Sequence, residues 1–134
     1  MKTRSSGGES WRILIIESDA HLAHAFQTCL KALGHTSAVA YDPVSALAMF
    51  KLGQFDVVTT ASEVGLTSGL ALAESIKDLS PRQPIILLTG YQVHRWSTQQ
   101  LACVDAILTK PFTLEELSRV IRGLKATFGI VKNP

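Results

Sequence analysis

Cysteine is scarce. The chain has two in 134 residues, Cys29 and Cys103, far apart and in no metal-type spacing. That excludes a disulfide-stapled scaffold and a cysteine-built zinc site, and it fits a reducing compartment. Cys29 falls on the apolar face of a helical pattern and reads as a small core residue. Charge of one sign is also lacking: 13 basic residues against 11 acidic ones leave a net charge of +2. No basic run exceeds two residues, so neither nucleic acid nor an anionic membrane is expected as a partner. No apolar run reaches the roughly 18 residues that a membrane-crossing helix needs. Lys2 and Arg4 have no apolar stretch behind them, so the start does not read as a secretory signal. A cytoplasmic location is the expectation.

What is present is apolar content, at 46% hydrophobic residues. A chain of this size buries roughly two thirds of the surface its unfolded form exposes, enough for one self-sufficient domain. Residues 1–10, with Ser5, Ser6, Gly7 and Gly8, read as a flexible lead; 11–126 read as the domain and 127–134 as a tail.

Two patterns alternate along the domain. Arg12-Ile13-Leu14-Ile15-Ile16 has the length and continuous apolarity of a parallel strand buried on both faces. Leu22, Phe26, Cys29, Leu30 and Leu33 then draw one helical stripe, closed by Gly34. A weaker strand follows at Ser37–Ala40. Asp42-Pro43, an N-cap and a proline at the first helical position, opens a helix that reaches Leu52 and stops at Gly53. Phe55–Thr60 is a β-branched third strand. Leu70, Leu72, Ile76 and Leu79 mark a third helix ended by Ser80-Pro81. Pro84–Leu88 is a fourth strand, Val93–Ala102 a weak helix and Ala106–Leu108 a short fifth strand. Thr113 and Glu116 form the capping box of a last helix, whose stripe runs from Leu114 to Phe128.

Alternation of this kind predicts right-handed crossovers, a parallel sheet and helices on both faces. Ligands of such sheets sit at the carboxyl ends of the strands, near a switch in strand order. Those ends carry Glu17, Ser18 and Asp19; Thr60, Ala61, Ser62 and Glu63; Thr89 and Gly90; and Thr109, Lys110, Pro111 and Phe112. An acid cluster, a hydroxyl and a lysine would meet in one shallow site. Each is also an ordinary loop polar, and Asp19 can simply cap the first helix.

In order, these segments resemble the receiver domain of two-component response regulators over about residues 11–125. Ile13–Asp19 resembles the family's first strand, an apolar run followed by acids. Phe55–Ala61 resembles its third, which ends in the phosphoacceptor aspartate. Gly69 stands eight residues further on, where the family carries a glycine. Pro84–Gly90 resembles the fourth strand with its switch hydroxyl, and Asp105–Phe112 the fifth with its Lys-Pro pair. The resemblance implies a flavodoxin-like (βα)5 three-layer sandwich with a five-stranded parallel sheet in the order 2-1-3-4-5. It also implies a cis peptide between Lys110 and Pro111.

In the family, a divalent metal, usually magnesium, is held by first-strand acids and the acceptor, while the lysine and the hydroxyl take phosphoryl oxygens. Here Ala61 stands at the acceptor position, and its methyl can neither attack phosphorus nor ligate a metal. Ser18 replaces one of the paired acids, leaving Glu17 and, in a different direction, Asp19. No metal or cofactor is expected, the magnesium site being lost or very weak. Thr60 should face away from the site. Asp56, at the far end of its strand and about 16 Å off, is out of reach. Thr89 keeps the switch hydroxyl, but Ile107 stands where relatives often have an aromatic switch residue, and Gly65 where a loop proline is usual. Lys110, without its usual partner, is expected to pair with Glu17.

The expectation is a degenerate receiver that is not an enzyme and acts as a phosphorylation-independent protein-interaction module. Docking or self-association would use the face of the fourth helix, fifth strand and fifth helix: Val93, Trp96, Gln99, Gln100, Arg119, Arg122 and Lys125, with Trp96 as anchor. The alternatives are a receiver phosphorylated at another acid, Asp19 or Glu63, and an enzyme on the same scaffold. The second lacks a phosphate-cradling glycine loop after the first strand. Whether the chain stands alone or belongs to a longer regulator or kinase is left open.

Overall fold

A computed structural model describes residues 10–90 and 96–132. Seven strands and five helices alternate in these segments. β1 (Arg12–Ile16), α1 (Ala20–Ala32), β2 (Thr36–Ala40), α2 (Pro43–Leu52) and β3 (Val57–Ala61) come first. A two-stranded hairpin, β4 (Glu63–Val64) and β5 (Thr67–Ser68), precedes α3 (Gly69–Leu79). β6 (Ile85–Thr89), α4 (Thr98–Leu101), β7 (Ala106–Thr109) and α5 (Leu114–Lys132) complete the chain.

Five strands form one parallel sheet in the order β2-β1-β3-β6-β7. Counted within that sheet, this is the expected 2-1-3-4-5 order of a flavodoxin-like sandwich. Side chains alternate across the sheet and separate two apolar layers. On one face Ile13, Ile15 and Val57 pack with Phe26 and Leu30 of α1 and Leu117 and Ile121 of α5. On the other Leu14, Ile16 and Val58 pack with Ala46 of α2 and Leu72 and Ile76 of α3. Every residue of β3 and of β6 is buried, as strands covered on both faces require.

The helix ends follow local chemistry. Asp42 caps α2 through Ser45 N–H, with Pro43 at its start, and Gly53 ends it. Gly34, at φ +92°, follows the last turn of α1. Thr113 Oγ1 accepts from Glu116 N–H while the Glu116 carboxylate accepts from Thr113 N–H, so the capping box is formed.

Three features differ from the sequence reading. The hairpin was not expected; Gly65, at φ +63°, makes its two-residue turn, so the glycine supplies a defined bend and not a looser loop. The weak helix expected from Val93 is Thr98–Leu101 among the described residues. Ser97 caps it in an extended conformation, exchanging hydrogen bonds with Gln100, and that geometry sets its start. Val93 lies outside the described residues. Finally, α5 runs to Lys132, so the segment assigned to a tail is helical over residues 127–132, Gly123 notwithstanding.

Asp105 ties the start of β7 to its neighbours. Its carboxylate accepts from Ile85 N–H at 2.8 Å and pairs with Lys77 Nζ of α3 at 2.8 Å. Both side chains are about one-fifth exposed, so water screens the pair only in part. Asp105→Ala, which removes both bonds and leaves the Ile85 N–H unsatisfied, is expected to lower unfolding free energy by about 1–3 kcal/mol. Lys77→Met should cost less, because the backbone bond survives. Urea denaturation of both variants measures the difference.

Candidate functional site at the carboxyl edge of the sheet

The parallel register places the ends of four strands side by side. Ile16 is opposite Thr60, Ala61 opposite Leu88 and Thr89 opposite Thr109. The loops that leave these ends carry the residues singled out by sequence.

Glu17 follows β1 and is buried, at 8% exposure. Its backbone N–H donates to Ala40 O, and its carboxylate accepts from Asp19 N–H at 2.9 Å. Ser18 is exposed. Asp19 caps α1, with Oδ1 accepting from His21 N–H at 2.9 Å and Leu22 N–H at 3.0 Å. Its carboxyl is held below its ordinary value, first by the Leu22 N–H, then by the His21 N–H and the charges of His21 and Lys110.

Ala61 ends β3, 5% exposed, and its methyl packs in the apolar layer that holds Val64 and Leu72. Behind it the chain is tight. A β-carbon on Gly69 would lie 1.9 Å from Ala61 O. Only a hydrogen side chain lets the start of α3 approach so closely, and the Gly69 N–H donates to Ser62 O at 2.8 Å. Two of the nearby hydroxyls are engaged inside the protein, while Ser62, next to Ala61, is half-buried on the outgoing loop. Thr60 Oγ1 donates to Ala61 O at 3.0 Å, and Thr59 Oγ1 makes a long bond to Leu14 O at 3.5 Å. Asp56 lies at the opposite edge, where its carboxylate accepts from Arg12 N–H. Glu63 is exposed on the hairpin.

Thr89 is fully buried at the end of β6, and its carbonyl accepts from Lys110 N–H at 2.8 Å. The Lys110–Pro111 peptide is cis. Ile107, half-buried on β7, is opposite Leu87. Glu17 and Lys110 line the same cavity, but they do not form the ion pair expected of them. One carboxylate oxygen of Glu17 is instead taken by the turn into α1, which directs the acid at the backbone.

The metal that the resemblance implies wants several hard oxygens in a tight octahedron. Ala61 contributes none, Asp19 is turned to its own helix, and no group of three His, Cys, Asp or Glu gathers among the described residues.

On the outer face, Trp96 is half-buried, and Gln99 and Gln100 are exposed. Arg119 and Arg122 are exposed on α5 with local partners, Glu115 at 3.7 Å and Ser118 at 2.6 Å. Lys125 departs from that group: its ammonium lies over the Trp11 ring, 5.5 Å from the centroid. Sequence reasoning missed the buried Trp11, whose backbone N–H donates to His35 Nδ1 at 3.0 Å. Its position just ahead of the first apolar strand was the available signal.

A doubly wound parallel sheet with an acid, a buried hydroxyl and a lysine at its carboxyl edge is the architecture of a small signalling domain with a switch-point site. The chain belongs to the response regulator receiver domain family, which matches residues 13–122. It is 28% identical over 113 residues to the autoinducer 1 sensor kinase/phosphatase LuxN of Vibrio campbellii, covering 84% of this chain and 13% of that protein. A receiver domain from Clostridium thermocellum superposes with a TM-score of 0.81 at 23% identity, covering 90% of this chain and 98% of the other. The response regulator TrrA of Thermotoga maritima, in complex with Mg2+-BeF, gives 0.78 at 28% identity, with 84% and 97% covered. TrrA is also known in complex with the histidine kinase ThkA. No helix among the described residues is long and apolar enough to cross a membrane.

The Asp19 cap gives a pH signature. A carboxyl whose folded pKa is depressed stabilises fully above its unfolded value, near 3.8 here, and the contribution fades as pH falls through the lower folded value. Between about pH 5 and about pH 2, stability of Asp19→Asn should therefore fall less steeply than that of the parent. Parallel urea titrations across that range check it.

Proposed function

We propose that this receiver domain acts in two-component signalling without being phosphorylated, as a protein-interaction module and not as an enzyme. The observation that carries the reading is Ala61, whose methyl packs into the apolar layer at the carboxyl end of β3, where the family resemblance puts the acceptor carboxylate. Phosphoryl transfer needs an oxygen nucleophile held in line and a cation to spread the charge. Of the nearby hydroxyls, those of Thr59 and Thr60 are buried and bonded to carbonyls, and Ser62, on the loop that leaves β3, donates to no base among the described residues. Asp19 spends an oxygen on two backbone N–H groups, which lowers its basicity and ties it to α1. With a single carboxylate left in the pocket, Glu17, the magnesium site is lost or very weak.

Such a module transmits by docking. Receiver domains bind histidine kinases and other proteins, as the ThkA–TrrA complex illustrates for TrrA. The surface we favour is the outer face of α4, β7 and α5, with Trp96 as the apolar anchor and Gln99, Arg119 and Arg122 as its polar surround. A protein partner or a second copy would sit there. The chain spans a small part of its sensor-kinase relative, so its output would come through that partner or through segments joined to a receiver, as in LuxN.

Acetyl phosphate with magnesium should leave the intact mass unchanged, and beryllofluoride with magnesium should leave the amide NMR spectrum unchanged. A phosphorylated species would overturn the reading. The double variant Ala61→Asp/Ser18→Asp is expected to regain magnesium-dependent shifts around Glu17 and Lys110. For the docking face, Trp96→Ala should abolish self-association seen by light scattering, or partner capture, without changing the melting of the fold.

A further inference from the structure

Behind the carboxyl edge, on the α1–α5 side of the sheet and away from the Ala61 layer, a cleft of about 320 Å³ opens between α1 and the loop that enters α5. It is more than twice the volume of a protein cavity that takes up benzene, and it lies at the low end of small-molecule sites. Its walls are apolar: Ile15 and Leu88 form the floor, and Phe26 and Phe112 stand edge to face, centroids 6.0 Å apart at 89°. Aromatic walls in that arrangement present both ring faces and ring edges to a further ring.

Its charged lining groups are Glu17 and Lys110. They are opposite in sign and are not paired with each other. The Glu17 carboxylate accepts from one backbone N–H, which leaves lone pairs free. The Lys110 ammonium makes no hydrogen bond or ion pair with a described residue, though its charge is felt by Asp19. A ligand group that both donates and accepts would answer the two together. A hydroxyl does this: its O–H donates to the Glu17 carboxylate, and its oxygen accepts from Lys110. A carboxylate ligand would face Glu17 with like charge, and an amine would face Lys110 in the same way, so a neutral head is the matched one.

We propose that this cleft is a binding site for a small uncharged aromatic alcohol of phenol type, its ring packed against the Phe26–Phe112 pair and its hydroxyl between Glu17 and Lys110. The proposal does not depend on whether Ala61 precludes phosphorylation. The cleft would give the domain an input other than a phosphoryl group, because a ligand there touches α1 and the segment that leads into α5.

The test is an amide NMR titration of the full chain with 4-ethylphenol, 4-ethylbenzoate and N-acetyl-tyrosinamide, judged on the described residues. The expected result is saturable shifts from 4-ethylphenol confined to residues 15–29, Leu88 and residues 110–112, with a Kd on the order of 0.1–1 mM. Binding by 4-ethylbenzoate should be at least about tenfold weaker. Lys110→Met should weaken 4-ethylphenol by about tenfold, a charged hydrogen bond being lost. Cys29→Phe, which fills the cleft, should abolish binding; Ala25→Phe, at an exposed rim position, serves the same end if the first variant does not fold. Absent or scattered shifts, a carboxylate that binds as well as the phenol, or undiminished binding to the filled variant would overturn the proposal. Tighter binding of N-acetyl-tyrosinamide would also overturn it, by pointing to a partner's tyrosine side chain.

Discussion

At the carboxyl end of β3 the backbone of Ala61 and the first residue of α3 approach so closely that no β-carbon fits between them. That contact sets where α3 can start and how the hairpin of β4 and β5 must fold to reach it. It also holds the end of β3 level with Ile16 and Leu88, since Ala61 pairs with β6 while its carbonyl lies against Gly69. The alignment of four strand ends into one edge, and hence any site there, follows from this tight turn. Gly69 is thus a structural requirement whatever chemistry the edge performs, and it persists here beside a side chain with no chemistry of its own.

The methyl of Ala61 changes what the edge can do more than how it folds. A small apolar side chain extends the α2–α3 layer by one residue and asks nothing of its surroundings. Glu17 and Asp19 turn to the backbone of the β1–α1 junction, where each accepts from N–H groups that the start of a helix leaves open. Lys110 is left as a half-buried cation over an apolar cleft. Its long aliphatic stem makes that position tolerable, because it can cover apolar surface.

Most of the fold was legible because strong local signals agreed with the tertiary arrangement. Continuous apolar runs such as Ile13–Ile16 and Ile85–Leu88 can be satisfied only by burial on both faces, and Asp42-Pro43, Gly34 and the Thr113–Glu116 box mark helix ends through side-chain and backbone chemistry that acts over a few residues. The hairpin is not legible in sequence because two residues per strand carry no readable periodicity, and its one signal, Gly65, stands where a loop proline is usual in the family. The helix expected over Val93–Ala102 starts at Thr98 among the described residues, because the reciprocal bonds of Ser97 with Gln100 set the boundary. At the site, residue identities came from sequence, but the direction of each side chain did not. Whether Glu17 meets Lys110 or the Asp19 N–H depends on a turn of two residues, which no spacing rule resolves.

That distinction bears on how a receiver with Ala61 at the end of β3 would signal on the reading proposed above. In a phosphorylated domain the trigger is a charge placed at the end of β3, and its effect travels because the surrounding loops have two arrangements. Here Thr89 and Lys110 are tied through a backbone hydrogen bond at the ends of β6 and β7, so the two strands that lead to the α4–β7–α5 face are joined at this edge. A partner or small ligand with different affinity for two arrangements of those loops could bias them as a phosphoryl group would, by its differential binding alone. The α1 side, with its unpaired acid and lysine over an aromatic cleft, is where such an input has both room and chemistry to act.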